Sequence, residues 1–282
     1  MTKIFLRYAF NSSSWNPNKP EWLKAMSCIQ TEERYRITSY AYQRDAKASL
    51  AGRLLARKVI TDLLNLSNNV VRLERTEKGR PFLVAHDLPQ LANCLDFNLS
   101  HQGDFTVLTA GLGVKTGVDV MKVQLPVSEN SVDDFFGLMK RQFAEKEWIS
   151  INDPEKDIDK MRLFYRHWCL KESYVKALGI GIGIDLEQII CSISNNSEPW
   201  VSWIDQDKSL WKFEEHVLDS DHVVGIAWHG QNVQQDVKFG NFVHLTFAEI
   251  LASMETLHRA ESEFWINFKS KQPLPPYLMK SK

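Results

Sequence analysis

The order of the predicted helices and strands is the feature of this sequence that most constrains its fold. Leucines and other apolar residues recur at helical spacing over residues 45–66, which predicts one long amphipathic helix. A second is predicted over residues 159–178, where Phe164, Trp168 and Val175 form one apolar stripe. Predicted antiparallel strands follow each helix in a run, so the order favours an α+β fold over a doubly wound sheet.

The predicted strands fall into two groups, which indicates two α+β subdomains. A polar stretch near residues 121–130, with Pro126 in it, separates the groups. We expect an N-terminal subdomain over residues 1–122, a C-terminal subdomain over residues 123–230 and a C-terminal extension over residues 231–282. The strands are predicted at residues 4–10, 70–76, 81–84, 95–101, 105–113, 115–123, 179–194, 211–218 and 222–228.

The balance of charges argues against a partner that is recognised by overall electrostatic attraction. The 282 residues include 34 Lys and Arg against 35 Asp and Glu, so we expect neither nucleic acid nor a membrane as a partner. No apolar run reaches the about 20 residues that a membrane helix requires, and the N-terminus lacks the apolar core of a secretory signal. Four scattered cysteines without a CxxC spacing are typical of reduced thiols, so we expect a cytosolic protein.

The second long helix carries three charged residues beside its apolar stripe. Glu172 and Lys176 are four residues apart and therefore lie one above the other on the flank of the stripe. Lys171 falls within the apolar arc, where an ammonium is unfavourable unless it reaches water or an anion. Such a group could serve acid–base chemistry and anion binding, with Gly179 as the C-cap of the helix. On spacing alone, an amphipathic helix with one surface ion pair is the better interpretation.

Basic residues surround a predicted glycine turn between two short strands. Arg75, Lys78 and Arg80 flank Gly79, and guanidinium groups beside an accessible backbone suit a phosphate. A solvated hairpin turn is the better explanation of this motif when it is taken alone. Arg36, on a short basic helix, could also reach an anion, although an exposed arginine is the simpler interpretation.

Polar residues end an apolar strand in the segment FNLSHQGD. Asn98, Ser100, His101 and Gln102 lie together there. Clusters of this kind are usual at binding sites, because functional side chains concentrate where strands end and loops begin. A capped turn explains the cluster almost as well.

Asp119 is the residue that is hardest to explain by structure alone. It is flanked by valines in the predicted strand GVDVMK, and a carboxylate in such surroundings is unfavourable without a cation or a hydrogen-bond donor. Mg²⁺ held by one or two carboxylates and by ligand phosphates would account for it, with Glu172 as the second carboxylate.

Two of these segments together resemble the signature of the Sfp-type 4′-phosphopantetheinyl transferases. GVDVMK, residues 117–122, matches G-[VI]-D, and WCLKESYVKALGIG, residues 168–181, matches W-x-x-K-E-[SA]-x-x-K. The blocks RDAKASLAGRLLARK, RTEKGRPFL and FNLSHQGDF are also similar to that family. The resemblance covers roughly residues 20–230, and it is the pairing of the two motifs that makes it specific.

The resemblance implies a fold of two similar α+β halves that bind coenzyme A in the cleft between them. It also implies that Asp119 and Glu172 hold Mg²⁺, that Glu172 is the general base and that Lys176 neutralises charge on the leaving group. Many members carry a third acid where this chain has Met121, which cannot bind Mg²⁺, so water or a nearby oxygen would complete the coordination, and Gln102 is our candidate. The residues with an implied catalytic role are Glu172, Lys176 and His101.

The same resemblance implies which residues bind coenzyme A. The basic turn at Gly79 would hold the adenosine 3′-phosphate, and the polar strand end at residues 98–101 would line the nucleotide site, with His101 near the 3′-phosphate. Lys171 would be a further cation near the phosphates. The implied binding residues are Arg36, Arg75, Thr76, Glu77, Lys78, Gly79, Arg80, Asn98, Leu99, Ser100, His101, Lys171, Glu172, Ser173, Tyr174, Val175 and Lys176.

The implied activity is transfer of 4′-phosphopantetheine from coenzyme A to a serine of apo acyl or peptidyl carrier domains, such as that of fatty acid synthase or an aminoadipate-semialdehyde dehydrogenase. We expect a monomer, because two halves in one chain can close their own cleft. A coenzyme A-binding or carrier-docking protein without turnover is the alternative, with Met121 as its sign.

Overall fold

The computed structural model of the chain describes residues 5–181, 183–194, 197–202, 210–230 and 240–274. The elements before the predicted junction are β1 (Phe5–Asn11), α1 (Lys19–Ser27), α2 (Thr31–Thr38), α3 (Gln43–Leu64), β2 (Leu73–Arg75), β3 (Pro81–Leu83), β4 (Leu95–Gln102), β5 (Phe105–Leu112) and β6 (Lys115–Lys122). Those beyond it are α4 (Val132–Met139), α5 (Glu145–Asn152), α6 (Asp157–Leu178), β7 (Ile190–Ser194), β8 (Ser197–Ser202), β9 (Trp211–Val217), β10 (His222–His229), β11 (Val243–His244), α7 (Phe247–Leu251) and α8 (Ser262–Ser270).

Two separate sheets hold most of these strands. β5 lies inside the first sheet between β1 and β4, and the short β11 extends it by parallel pairing with β1. β10 is the centre of the second sheet, between β6 and β9. β2 with β3, and β7 with β8, form two-stranded hairpins. The predicted α+β class is therefore confirmed, and most strands lie where the sequence pattern predicts them. The strand predicted over residues 179–194 is observed only as Ile190–Ser194, because the described residues before it form turns and a short 3₁₀ helix.

The strand β6 is where the two halves of the chain meet. The predicted division after residue 122 assigns it to the N-terminal subdomain, yet it pairs with β10 along its whole length. The two sheets are also bonded to each other, since Arg7 in β1 donates to Glu214 in β9 at 2.9 Å. The division after residue 122 stays a prediction, although strand pairing alone groups β6 with the C-terminal strands.

The described part of the C-terminal extension packs against the N-terminal half. β11 pairs with β1, and the ring of Phe268 in α8 stacks on Trp22 in α1 with centroids 3.9 Å apart. The buried guanidinium of Arg34 in α2 donates to the carbonyl oxygen of His258 at 2.8 Å. The extension therefore covers the apolar face of the N-terminal helices, which would otherwise be exposed.

The helix α6 is the element around which the C-terminal half is built. Phe164 packs against Phe135 of α4 with ring centroids 4.9 Å apart, and Tyr174 packs against Trp211 of β9 at 4.6 Å. The helix ends at Gly179, whose φ of 71° is the left-handed C-cap conformation that the sequence predicts. Neither α6 nor any other described helix combines the length and apolarity needed to cross a membrane.

Candidate active site

Two glycines bring α6 directly against the second sheet. A Cβ on Gly117 of β6 would lie 2.0 Å from the carbonyl oxygen of Ser173, and one on Gly225 of β10 would lie 2.5 Å from the carbonyl carbon of Cys169. Any side chain at these positions would push the helix away from the sheet. Because Gly225 pairs with Asp119, and Gly117 is two residues before it, both glycines share the face of Asp119. The glycine of the G-V-D motif is therefore the reason that the helix can approach the aspartate.

Asp119 is 5% exposed, and one of its two carboxylate oxygens has hydrogen-bond partners. Oδ1 accepts from Ser100 Oγ at 2.8 Å and from Lys176 Nζ at 2.7 Å. Within the described ranges no donor reaches Oδ2, although it is buried. The lysine explains how the carboxylate is tolerated among valines, and the unpartnered oxygen would accept a donor or a cation that reached it.

Glu172 lies one helical turn before Lys176 on the same side of α6. Burial and, to a lesser extent, the negative charge of Asp119 raise the pKa of Glu172, while Lys176 partly offsets the increase. A carboxylate with a raised pKa is a stronger base when it is ionised, which suits general base chemistry.

These residues line one cavity of about 1500 Å³ between the two halves of the protein. α2, α3 and the β2–β3 turn form one wall, and β4, β6, α6 and the segment after α6 form the others. Of the predicted site residues, the cavity lining includes Arg36, Arg75, Lys78, Gly79, Arg80, Asn98, Leu99, Ser100, His101, Gln102, Asp119, Glu172, Val175 and Lys176.

Three cations on the N-terminal wall differ in what they contact. Arg36 is exposed, and its side chain makes no hydrogen bond to another described residue. Lys78 bonds to the carbonyl oxygen of Ile180, which connects the β2–β3 turn with the segment after α6. Arg75 donates to the carbonyl oxygen of Gly79 at 2.8 Å, in the turn where Gly79 has a φ of 82°. All three groups line the cavity that an anion would enter.

The polar residues that end β4 have several roles in the cavity wall. Asn98 Oδ1 accepts from the Val118 amide at 3.0 Å, and Gln102 Oε1 accepts from the Lys122 amide at 2.6 Å, so both side chains attach β4 to β6. His101 is exposed to the cavity, and its partial desolvation, together with the charge of Lys176, lowers its pKa. His101 is therefore neutral at neutral pH and can donate or accept a hydrogen bond.

The prediction that Lys171 lies near the phosphates is wrong. Its side chain is fully buried, and its ammonium donates to Glu147 Oε2 at 2.7 Å, to Gln142 O at 2.8 Å and to Leu186 O at 2.9 Å. All three N–H groups are used, so none remains for a ligand. Because Gln142 and Leu186 do line the cavity, Lys171 holds two parts of its wall without facing it.

Four other predicted binding residues also do not line the cavity. Ser173 is buried and donates to Leu170 O, and Tyr174 belongs to the apolar core beside Trp211. Thr76 and Glu77 lie in the exposed turn that follows β2, outside the cavity lining. These four residues share motifs with residues that line the cavity, but neighbouring side chains in a chain segment point in different directions, so only some of them can face it.

Arg80 lines the cavity, but its guanidinium is largely bound by the protein. It donates to both oxygens of Asp96, at 2.8 and 2.7 Å, and to the carbonyl oxygens of Phe97 and Thr116. It also donates to Lys176 O at 2.5 Å, so it connects β3, β4, β6 and α6 at one point. Its predicted contact with a phosphate stays a prediction.

The sequence reasoning missed Glu147, whose partners form a second buried cluster. The ligand atoms of Glu147, His167 and Cys191 lie within 4.8 Å of one another, in a group that is separate from Asp119 and Glu172. Burial raises the pKa of Glu147, but the nearby His167 imidazole, 3.6 Å away, and the hydrogen bond and charge of Lys171 lower it overall. Lys171 already neutralises this carboxylate, so we assign the cluster a structural role. The unusual position of Lys171 on an apolar arc was the signal that a buried acid must exist.

Asp119 and Glu172 have the properties that a hard divalent cation requires. Asp119 offers a buried oxygen without a donor, and the like charge of Asp119 that raises the pKa of Glu172 would be neutralised by a bound cation. Gln102 could add a third oxygen, although that oxygen already accepts a hydrogen bond from Lys122. Met121 lines the cavity and offers only a thioether, which does not suit Mg²⁺.

The sequence matches two family profiles in succession. Residues 13–112 match the family described as 4′-phosphopantetheinyl transferase, N-terminal, and residues 115–227 match the 4′-phosphopantetheinyl transferase superfamily. The L-aminoadipate-semialdehyde dehydrogenase-phosphopantetheinyl transferase of Xenopus laevis is 42% identical over 284 residues, which cover 96% of this chain and 93% of that protein. The human protein of the same name is 34% identical over 288 residues, which again cover 96% of this chain and 93% of that protein.

Solved structures show a more distant likeness. The holo-(acyl-carrier-protein) synthase of Bacillus anthracis in complex with CoA (3′,5′-ADP) is 16% identical, with a TM-score of 0.33 over 41% of this chain and 94% of that one. A likeness of this size supports no conclusion about individual residues of the site.

Proposed function

The chain belongs to the 4′-phosphopantetheinyl transferase superfamily, and from this premise we propose that it transfers 4′-phosphopantetheine from coenzyme A to a serine of apo acyl or peptidyl carrier domains. The single observation that carries the proposal is the cavity that Asp119, Glu172 and Lys176 line together with Arg36, Arg75 and Lys78. Two carboxylates and several cations share this cavity, and these are the groups that a diphosphate and an attacking hydroxyl need.

Coenzyme A is held in this proposal by cations on both walls of the cavity. Arg36, Arg75, Lys78 and the Gly79 turn would bind the phosphate at the ribose end of the nucleotide. Lys176 now donates to Asp119 Oδ1 at 2.7 Å, Ser100 Oγ at 3.0 Å and Val118 O at 3.1 Å, and its side chain is 28% exposed. It would bind the diphosphate in exchange for one of these acceptors. His101, neutral at the cavity wall, would hydrogen-bond to the nucleotide.

Mg²⁺ would be held by Asp119 and Glu172, with Gln102 or water as a further ligand, and it would neutralise charge on the diphosphate. The serine hydroxyl of the carrier attacks the phosphorus that bears the pantetheine arm, and its proton passes to the carboxylate of Glu172. The bond from this phosphorus to the oxygen of the other phosphate breaks, so adenosine 3′,5′-bisphosphate leaves and phosphopantetheinyl-serine remains. Lys176 stabilises the charge that develops on the leaving group.

The test of this function is incubation of the protein with coenzyme A, Mg²⁺ and an apo carrier domain, followed by intact-mass measurement. We expect the mass of one phosphopantetheine group on the carrier, and removal of Mg²⁺ by a chelator should abolish the transfer. A carrier mass that does not change, while the protein still binds coenzyme A, would favour the alternative of a binding protein without turnover. Met121, which replaces a metal-binding acid of many members, is the residue that suggests this alternative.

The remaining parts of the proposal concern the setting of the reaction. We propose that the protein acts in the cytosol as a monomer, on carrier domains of the fatty acid synthase or aminoadipate-semialdehyde dehydrogenase type. The cleft between two halves of one chain, which needs no second subunit to close it, supports the monomer. The near-zero net charge of −1 supports partners other than nucleic acid and membranes. Gel filtration with light scattering tests the oligomeric state.

A further inference from the structure

Glu33 is a buried carboxylate in the cavity wall for which the proposed reaction has no role. It lies in α2 and is 8% exposed, and both of its oxygens accept hydrogen bonds from arginines. Oε1 accepts from Arg75 Nε at 3.1 Å, and Oε2 accepts from Arg75 Nη2 at 3.2 Å. Arg53 Nε also bonds to Oε2. Two parallel hydrogen bonds between one carboxylate and one guanidinium fix the plane of Arg75.

The other contacts of the two arginines extend this group into the protein. Arg75 Nη1 donates to Gly79 O at 2.8 Å, so the ion pair also holds the β2–β3 turn. Arg53 Nη1 donates to Ser49 O at 2.8 Å, which anchors it to α3. Both arginines line the cavity, where their remaining N–H groups can bind an anion.

We propose that Glu33 is a positioning residue, which holds Arg75 and Arg53 in the geometry that binds the phosphate on the ribose 3′ oxygen of coenzyme A. This inference rests on the proposed function of the site. One carboxylate between two guanidinium groups leaves a net positive charge for the phosphate. Two guanidinium groups without the carboxylate would repel each other and separate.

The ionisation of Glu33 agrees with this role. Burial acts to raise its pKa, but the hydrogen bonds and charges of Arg75 and Arg53 lower it overall. Glu33 is therefore negatively charged at neutral pH and accepts hydrogen bonds at both oxygens.

Removal of this carboxylate has two opposing effects on phosphate binding, and their sizes decide the sign. The phosphate loses a repelling negative charge, but water in the open cleft screens this repulsion strongly. The arginines lose their fixed orientation, and a charge-assisted hydrogen bond with correct geometry changes binding by about tenfold or more. The second effect is the larger, so we expect weaker binding.

The test uses Glu33→Gln with Glu32→Gln as its control, since Glu32 is the exposed neighbour in α2 and does not line the cavity. KM for coenzyme A and kcat are measured with saturating apo carrier, and calorimetry gives Kd for adenosine 3′,5′-bisphosphate and for AMP. We expect Glu33→Gln to raise KM about tenfold, with kcat changed by less than about twofold. The bisphosphate should lose affinity by the same factor, while AMP, which lacks the 3′-phosphate, should bind as before.

Several results would overturn the proposal. Unchanged or tighter binding of the bisphosphate by folded Glu33→Gln would show that Glu33 only weakens the positive charge. Equal losses for AMP and the bisphosphate would show a general loosening of the cavity. If Glu33→Gln does not fold, Glu33→Asp replaces it, because it keeps the charge and shifts the arginines. This variant should lose affinity for the bisphosphate and keep its affinity for AMP. If it binds both nucleotides as the wild type does, the proposal is contradicted. A wild-type protein that binds both nucleotides but modifies no carrier refutes only the proposed function.

Discussion

Lys171 and Lys176 lie on the same helix, and each pairs with a buried carboxylate, yet their surroundings differ in one decisive respect. Lys171 uses all three N–H groups on Glu147, Gln142 and Leu186 and is 0% exposed. Lys176 reaches Asp119 at the wall of the cavity, where Oδ2 has no donor from the described part of the chain. Lys176 also donates to three oxygens, those of Asp119, Ser100 and Val118, so the difference lies in the carboxylates. Both oxygens of Glu147 accept hydrogen bonds, so that pair is saturated, whereas the Asp119 pair is unsaturated at Oδ2 among the described residues.

The difference follows from helix geometry and teaches how to distinguish two kinds of buried ion pair. Five positions along an α-helix correspond to about 140° of rotation, so the two lysines leave α6 on different sides. A saturated pair can only hold its neighbours in place, because a ligand would have to break an existing bond. An unsaturated pair beside a cavity can exchange its partners with a ligand, and such pairs are candidates for function.

The largest expected effect tests the unsaturated side of this comparison. Replacement of Glu172 by Gln removes the proton acceptor, and we expect kcat to fall by about 10²–10⁴-fold. Calorimetry with adenosine 3′,5′-bisphosphate should show that nucleotide binding persists. Glu145→Gln, at an exposed position of α5, is the matched control and should keep wild-type turnover. Wild-type turnover in Glu172→Gln would mean that another group is the base.

The next effect separates the two lysines directly. Lys171→Met leaves Glu147 buried without its cation, and breaking such a pair costs about 3–5 kcal/mol of unfolding free energy. Lys176→Met should lose much less stability, because the Lys176 side chain is 28% exposed and water screens its charge. Urea unfolding of both variants measures this difference in stability. In transfer assays we expect the larger loss of activity for Lys176→Met. Equal losses of stability would contradict the distinction between the two pairs.

A smaller effect tests whether close packing of α6 on β6 positions the unsaturated pair. Gly117→Ala places a Cβ against the backbone of Ser173 and Ala177, and overpacking of this kind costs about 1–3 kcal/mol. The displaced helix should also carry Glu172 and Lys176 away from Asp119, so activity should fall more than stability predicts. In the control Gly137→Ala, the exposed α4 position has no atom within 4 Å of the added Cβ, and both quantities should stay near wild type.

The smallest expected effect concerns stability and pH. The pKa of Glu172 is raised in the native protein, mainly by burial and then by Asp119, so its protonated form is favoured there. Stability from this group is therefore complete below its ordinary pKa, which is near 4.5, and is lost as pH rises through the raised value. Glu172→Gln should be more stable than wild type at neutral pH, with the gain absent at acid pH. Thermal unfolding at both pH values measures it, and a gain that does not depend on pH would contradict the raised pKa.

Much of the fold could be predicted because the apolar pattern reports secondary structure directly. The helix predicted over residues 159–178 is observed as Asp157–Leu178, and the strands predicted over residues 211–218 and 222–228 are observed as β9 and β10. The candidate site was predictable to the extent that a buried Asp119 demanded a cation. Lys176, four residues after Glu172, supplies that cation in the structure.

The rest of the site could not be predicted, because the missing partners are distant in the sequence. Lys171 required an anion, but nothing in the sequence selects Glu147, which is in another helix and resembles a surface acid. Glu33 likewise is one of two acids in the first turn of α2, and only the fold places it between two arginines.

The sequence by itself determined the helices and strands, the α+β class and the set of residue types that a phosphate site needs, because these depend on local periodicity and on the chemistry of individual side chains. Only the tertiary structure decided which lysine of α6 faces the cavity, which arginines are already bound and which carboxylate oxygen is left without a donor. Those properties depend on how distant segments approach one another. Here two glycines set that approach, because they let α6 lie directly on the sheet beside Asp119.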